Sequence, residues 1–439
     1  MPDPDLSEVD DESSRPDAIS RRDLLAGAAG AVGGAVLAGL PSLAVAQQGA
    51  KGAAKAALPA PANPLPPIPD DPTKVVGTPT AAVGTRSRFV VAVRSPAGLI
   101  TGSSFTPLQD LTGTITPADL HFERHHAGIP QIDPARHSLM IHGLVDHPTM
   151  FSVDDIKRFP QVTRVHFVEC SGNGRGAYRV PKPESTPQQV AGLTSNSEWT
   201  GVPVKTLFDE VGVQPAAKWF LAEGSDAAML TRSIPLEKAF DDAMIVWAQN
   251  GEPLQPAQGY PLRLLLPGFE GNCNVKWVRR LELGTKPWMT RWETSVYTDP
   301  LPGGKARIFS FELDAKSIIT SPTFPKTITK GWWPVSGIAW SGRGTITRVE
   351  VSTDSGSSWS DATLHGPALP KAHIRFTHMW EWDGRETTLL SRATDETGYT
   401  QPTRSELIKV RGVGTDYHFN QIYGWTVKPD GQVFYHGET

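Results

Sequence analysis

Proline sets the first constraint on this chain. It occurs 39 times in 439 residues, and each proline removes a backbone donor and stops a helix from running through it. Between these breaks the apolar residues fall in short runs that alternate with Gly-, Ser- and Asp-containing turns. The chain also carries 13 tryptophans, and aromatic side chains suit a pleated, half-buried surface. The pattern predicts a strand- and loop-rich fold rather than a helical bundle, and the length suggests two domains or more.

The N-terminal part reads as an address. Ser20-Arg21-Arg22-Asp23-Leu24-Leu25 is a twin-arginine motif, an uncharged Ala/Gly-rich stretch follows to Leu43, and Ala44-Val45-Ala46 has the small-residue pattern of a cleavage site. Residues 1–46 are therefore expected to be a Tat signal peptide, which implies export to the periplasm and no membrane span. Residues 47–88 are Ala/Pro-rich and read as an extended linker or arm. From 89 to 300 the pattern is mixed, α+β. Leu139–Gly143, Arg164–Glu169, Pro261–Leu266 and Val275–Leu283 read as strands. Val153–Phe159, capped by Ser152, and Val204–Gly212, ended by its glycine, read as short helices. Residues 301–415 alternate as strands in Val335–Trp340, Thr345–Ser352 and Leu389–Thr394, with turn centres at Asp354-Ser355-Gly356 and at Asp395–Gly398. This predicts an all-β, immunoglobulin-like sandwich, followed by a tail over 416–439.

Charge and cysteine content narrow the function. The formal net charge is −4. Residues 1–46 hold eight acids and three bases, so the remainder has 39 bases and 38 acids and is nearly neutral. Neither a nucleic-acid partner nor a charged membrane surface is indicated. Two cysteines, Cys170 and Cys273, do not make a disulfide framework. No C-x-x-C-H is present, so no c-type haem is expected in this chain. There is no phosphate loop, and no G-x-G-x-x-G in a strand-to-helix setting.

The segment with most chemistry is Phe167-Val-Glu-Cys170-Ser-Gly-Asn-Gly-Arg175. A cysteine enters a Gly/Asn turn at the end of an apolar run, and a thiolate held there can ligate a soft metal. The glycines allow close approach of a bulky ligand, and Arg175 can grip an oxyanion in a bidentate contact. Two other readings stand beside this one. His121, His125 and His126 could form a zinc site, and the β-rich part could belong to a binding module.

Taken in order along the chain, the motifs resemble the sulfite oxidase family of molybdenum enzymes. The blocks are Phe122-Glu-Arg124-His125-His126, Cys170 through Arg175, Ser197-Glu-Trp199-Thr-Gly201 and Ser233-Ile-Pro-Leu-Glu-Lys238. They continue with Gly259-Tyr-Pro-Leu-Arg263 through Pro267-Gly268 to Val275-Lys276-Trp277. In the β-rich part the matching blocks are Ala339–Gly344, Val349–Asp354 and Ser391–Asp395. The resemblance implies a molybdopterin-binding catalytic domain followed by a dimerisation domain, with a molybdenum–molybdopterin cofactor and Cys170 as the protein's metal ligand. It implies that Arg124 and Arg175 line an anionic substrate pocket with Trp199 as its wall. It implies that His126, Arg263 and Lys276 bind the pterin and its phosphate, joined by Phe122, His125, Asp226, Asn274 and Val275. The pattern departs from the family at His125, where an asparagine is usual, and at Gln258, where a histidine is frequent. No haem-b domain precedes the catalytic part.

Within the family, Thr106–Asp110, His121–Gly128, Ile132-Asp-Pro134 and the tail Asn420–Trp425 are similar to the sulfane dehydrogenases of the Sox system. That similarity implies oxidation of sulfane sulfur on a carrier protein during thiosulfate oxidation. It also implies electrons passed to a separate c-type cytochrome subunit, and a homodimer core formed through the C-terminal domain. Free sulfite is the alternative substrate.

Overall fold

A computed structural model describes residues 76–301 and 304–438. The expected signal peptide and most of the linker lie outside the described residues. Residues 76–84 carry no helix or strand. Residues from 85 onward form one compact unit, α+β as expected, with a β-rich C-terminal part. No helix among the described residues is long and apolar enough to cross a membrane.

Three sheets carry the first half. Ser95–Gly98, Gly102–Phe105 and Glu123–His125 form a small antiparallel sheet. A second sheet pairs Val162–Glu169 with Thr194–Pro203, then Met244–Gln249, onto which both Glu252–Pro253 and Arg263–Leu265 dock. A third runs Thr149–Ser152, Ser138–Gly143, Val278–Gly284, Trp219–Gly224, Thr231–Pro235. The helices are short, as the proline density requires. Val153–Lys157 begins at a Ser152–Asp155 capping box, and Val204–Val211 ends at Gly212 in the left-handed region.

The C-terminal part is a sandwich. One sheet orders Lys316–Ser321, Gly331–Trp340, Ile374–Trp382 and Thr363–His365. The other orders Ser360–Asp361, Ile346–Ser352, Thr387–Asp395, Gly424–Val427 and Val433–His436. Ile318, Ile338 and Phe376 of the first share one apolar core with Val349, Leu389 and Trp425 of the second. Residues 416–439 are therefore not a tail. They supply two strands that complete the second sheet, and Trp425 and Tyr423 are fully buried. The short tyrosine- and tryptophan-bearing runs there alternate too briefly to announce strands in isolation.

The halves meet along a polar and aromatic seam. The Glu169 carboxylate, 1% exposed, accepts hydrogen bonds from the Lys316 ammonium, from Trp340 Nε1 at 2.6 Å and from Asn173 Nδ2 at 2.9 Å. His373 stacks on Phe167 and lies 4.9 Å from the Trp340 ring, and its Nε2 is 2.9 Å from Thr194 Oγ1. Gly268 and Gly342, both within the sequence blocks noted above, approach so closely that a Cβ on either would overlap the other's carbonyl.

Breaking a buried pair leaves an uncompensated charge. Lys316→Met should therefore lose about 3–5 kcal/mol in urea denaturation, and adding Glu169→Gln should recover much of that loss. Burial also pushes His373, His121 and His418 down to about 3. The unfolded chain takes up protons below the ordinary histidine value of about 6.5 that these folded side chains refuse. Stability should thus fall as pH drops from about 6.5 toward about 3, by up to about 1.4 kcal/mol per pH unit for each group. His373→Phe should cost about 1 kcal/mol at neutral pH through the stranded Thr194 hydroxyl. The same substitution should flatten the acid slope of the denaturation midpoint by one proton.

Candidate active site

Cys170 stands at the end of the edge strand Val162–Glu169, where the chain must turn. Its N–H donates to the Leu193 carbonyl at 3.0 Å, and its own carbonyl accepts from Asn173 N at 2.9 Å. Gly174, at φ +96°, then reverses the chain into the helix Arg175–Arg179. A Cβ at Gly174 would lie 2.5 Å from the Tyr423 hydroxyl and 3.1 Å from Phe419 Cβ, so glycine is required on both conformational and steric grounds.

Two cavities meet at this cysteine. The inner one, a cleft with about 650 Å³ of empty space, is lined by Phe122, Arg124, His125, His126, Cys170, Asp226, Arg263, Asn274 and Lys276. Nine of the residues expected around a cofactor thus converge on it. The outer one, a vestibule of about 940 Å³, is lined by Arg124, His126, Cys170 and Arg175, with Gly172, Gly174, Gly176 and Tyr417. Arg124, His126, Cys170 and Tyr297 belong to both.

Two expected residues stand elsewhere. Trp199 is fully buried and lines neither cavity; its indole N–H donates to the His166 carbonyl at 3.0 Å. Its ring is instead a platform for Arg263, whose guanidinium carbon lies 5.0 Å from the ring centroid. Trp199 therefore forms no wall of a pocket. It lies behind the cleft lining, on the sheet face that also carries Val168 and packed in one apolar cluster with Val168 and Phe122, so those side chains and Arg263 stand between it and the cleft. The Val275 side chain lies in the apolar core of the first half, and its carbonyl accepts from Leu264 N at 2.9 Å.

The cleft is built around cations. Lys276 spends its three N–H bonds inside the protein, on the Arg124 carbonyl (3.1 Å), His125 Nδ1 (2.9 Å) and the Ala257 carbonyl (2.9 Å). His125 Nε2 is 3.0 Å from Glu123 Oε2. The histidine that departs from the family pattern thus links a carboxylate to the lysine. Arg263 gives one amino group to the backbone and side-chain oxygens of Gln258, both at 3.2 Å, and Gln258 Nε2 donates to the Phe122 carbonyl at 2.8 Å. Arg263 Nε has no partner among the described residues. Burial pulls Arg263 down to about 9 and Lys276 well below its ordinary value. It pulls His126 down to about 4, helped by Arg124, Lys276 and Arg291. Arg263, Lys276 and His126 converge there with the charged form of each disfavoured, an arrangement set up to receive an anion.

Burial pushes the Cys170 thiol up, and the Gly172 N–H, Arg124 and Arg175 oppose that push. A bound metal ion supplies the charge that would keep it as a thiolate. Arg175 donates through Nε (3.1 Å) and Nη2 (2.7 Å) to the Asp416 carbonyl, and its guanidinium carbon lies 5.5 Å from the centre of the Tyr417 ring. Asp226 Oδ1 accepts from Leu230 N at 3.1 Å, and Asn274 Oδ1 from Leu266 N at 2.7 Å, so each shapes the backbone of a cleft wall. The three histidines of the zinc reading point to different partners. Among the described residues no group of three or more His, Cys, Asp and Glu side chains is arranged to hold a metal.

Sequence reasoning missed Tyr297, whose hydroxyl is 2.7 Å from His126 Nε2 and which lines both cavities. It also missed Asn272 and Tyr417. Asn272 lies inside the Gly259–Trp277 block and could have been read there. Tyr297 and Tyr417 stand outside every motif.

Comparisons with known proteins bear on the same residues. Residues 126–292 match the oxidoreductase molybdopterin binding domain, and residues 307–423 match the Mo-co oxidoreductase dimerisation domain. The crystal structure of the sulfane dehydrogenase SoxCD from Paracoccus pantotrophus aligns with a TM-score of 0.80 and 43% identity, over 83% of this chain and 96% of that one. Mitochondrial sulfite oxidase of Rattus norvegicus is 28% identical over 327 residues, 68% of this chain and 59% of the relative. NADH nitrate reductase of Solanum lycopersicum is 31% identical over 332 residues, 66% of this chain and 36% of the relative. The chain thus spans less than two thirds of the length of these two relatives.

If Arg263 receives an anionic group in the cleft, Arg263→Met should fold and yet retain at least about tenfold less cofactor, a loss of about 1.4 kcal/mol in binding. Molybdenum and pterin content after gel filtration measures this, and unchanged retention would remove Arg263 from the binding set.

Proposed function

The chain belongs to the sulfite oxidase family of molybdopterin oxidoreductases, and from this we propose that it oxidises sulfane sulfur borne by a carrier protein. The step belongs to thiosulfate oxidation in the periplasm, and the electrons pass to a separate c-type cytochrome. The observation that carries this reading is the place of Cys170, where a cationic inner cleft opens into a wide outer vestibule.

The residues fit a molybdenum–molybdopterin group. Arg263 Nε is a buried donor without a partner, a place for phosphate oxygen, and Cys170 offers the soft sulfur that such a metal takes. In this reading Arg263, His125, His126, Asp226, Asn274 and Phe122 hold the cofactor, while Lys276 fixes the backbone of Arg124 and Ala257 around it. When bound there, the cofactor supplies oxygen-atom transfer to sulfur and takes up two electrons. The protein's part is orientation. Arg124, common to both cavities, and Arg175, in the vestibule, hold the anionic end of the substrate by charge-assisted hydrogen bonds. The vestibule's glycine rim leaves room for a sulfur group on a polypeptide arm.

Free sulfite is the second reading. The likeness to a mitochondrial sulfite oxidase favours it, as does the presence of Arg124 and Arg175 in the lining of one vestibule. The twin-arginine motif supports export, and the match to a dimerisation domain over 307–423 supports a homodimer built through the β-rich part. With no C-x-x-C-H in the sequence, the cytochrome in this reading is another chain.

Protein exported from a host able to make molybdopterin should contain about one molybdenum per chain and little zinc, by elemental analysis. Cys170→Ser should keep the fold but lose turnover, and full activity would remove Cys170 as ligand. In the wild type, kcat/KM for a carrier-borne persulfide should exceed that for sulfite by at least about tenfold, roughly 1.4 kcal/mol. The opposite ranking would leave the sulfite reading in its place.

A further inference from the structure

Glu270 is buried beside the site and lines neither cavity that meets Cys170. Its Oε2 accepts from Asn272 Nδ2 at 2.9 Å and lies 3.7 Å from His418 Nε2, and its Oε1 is 3.7 Å from Arg232 Nη2. Asn272 Nδ2 also donates to Ser171 Oγ at 3.1 Å, which brings the serine hydroxyl and the Glu270 carboxyl onto one amide group. Ser171 faces two spaces: the vestibule, and a small polar cavity that it shares with Asp314 and His418. Those two residues in turn line a third cavity, of about 830 Å³, whose other walls include Arg307, Arg343 and Arg411 at the protein surface. Polar groups thus run from the cysteine turn to that outer cavity.

We propose that Ser171, Glu270 and His418 carry protons from the reaction site to solvent, behind the cysteine turn rather than out through the vestibule. This rests on the reading of the site as a sulfur oxidase. Transfer of one oxygen atom from water to sulfur releases two protons and two electrons, and the electrons leave singly to a one-electron acceptor. A carrier-borne substrate would fill the vestibule while those protons still have to leave. A serine hydroxyl, a carboxyl and an imidazole each accept and donate a proton at one site, whereas the arginines around them do not. The groups facing Glu270 set it between its two states: burial and Asp299 favour the acid, Arg232 favours the carboxylate, and burial leaves His418 neutral. The balance is pushed up to about 7, where a carrier exchanges protons readily with its neighbours.

The test compares wild type, Glu270→Gln and Ser171→Ala as molybdenum-loaded proteins, with sulfite as reductant and ferricyanide as acceptor. Glu270→Gln is expected to keep its molybdenum, to lose at least about tenfold in kcat, and to lose an inflection near neutral pH. The solvent isotope effect should rise in both variants. Infrared spectra of wild type, with or without cofactor, should show a carboxyl C=O band that titrates near neutral pH and is absent from Glu270→Gln. Variants with the kcat, pH profile and isotope effect of wild type overturn the route, as does the absence of any such band. If Glu270→Gln does not fold, Ser171→Ala, which removes a hydroxyl and no charge, decides by the same kinetic readouts. Wild type that oxidises no sulfur compound removes the reading of the site instead, and the band alone then decides whether Glu270 exchanges protons.

Discussion

A single buried carboxylate holds the chemistry and the architecture together. Glu169 precedes the cysteine, and its two oxygens bind Asn173 in the cysteine turn, Lys316 at the start of the sandwich and Trp340 at the end of a neighbouring strand. An unpaired carboxylate at 1% exposure is too costly to leave unmet, so these partners are obligatory. They come from both halves of the molecule, and meeting them fixes the sandwich against the strand that carries Cys170. Asn173 extends the constraint by accepting from Leu193 N at 3.0 Å, next to the carbonyl that takes the Cys170 N–H. The position of the sulfur is thereby referred to the β-rich part, not only to the loop it sits in.

The cleft shows the opposite logic. Arg263 is buried and Lys276 half-buried, neither paired with a carboxylate among the described residues, and desolvation lowers both. Lys276 tolerates this because three acceptors already surround it, which makes it a strut rather than a free ligand. Arg263 tolerates it by stacking on Trp199 and by leaning on Gln258, yet one of its donors remains unmet. The two basic residues share a motif and a β-bridge, but they do different work, and only the hydrogen-bond count separates them. A phosphate-bearing group would relieve the residue with the free donor and leave the other in place.

Much of this was legible in the sequence because it rests on local rules. Ser152 and Gly212 bound their helices as capping requires, and Ser355 and Gly356, read as a turn centre, both lie at positive φ. The blocks around Arg124, Cys170 and Arg263 reached one cleft because each sits at an element end, where the chain turns and side chains are offered to a cavity. Trp199 was misplaced because the cleft face of its strand is covered by a further layer, Phe122 and Arg263, and no sequence spacing tells whether a residue on that face reaches the cavity or stands one layer behind it. Tyr297 and Tyr417 were invisible for another reason. They arrive at the site from irregular segments, through packing between distant parts of the chain, and no spacing rule announces such contacts.

The same packing divides the two cavities differently between the halves. The inner cleft is lined by residues of the first half alone, and away from the cysteine turn the hydrogen bonds of Lys276, Arg263 and Gln258 that shape it stay within that half. The vestibule is shared. Tyr417 forms one of its walls and donates a hydrogen bond to the Val296 carbonyl, and the Asp416 carbonyl takes two N–H bonds from Arg175. His418 N–H donates to the Ser171 carbonyl at 2.9 Å, which ties the same segment to the cysteine turn. The arginine expected to grip substrate is therefore oriented by the stretch that leads into the last two strands of the sandwich. Under the proposed function the vestibule therefore draws on both halves, and substitutions at Asp416 or Tyr417 should act first on Arg175 and the vestibule wall, whereas one at His418 also touches the cysteine turn that both cavities share.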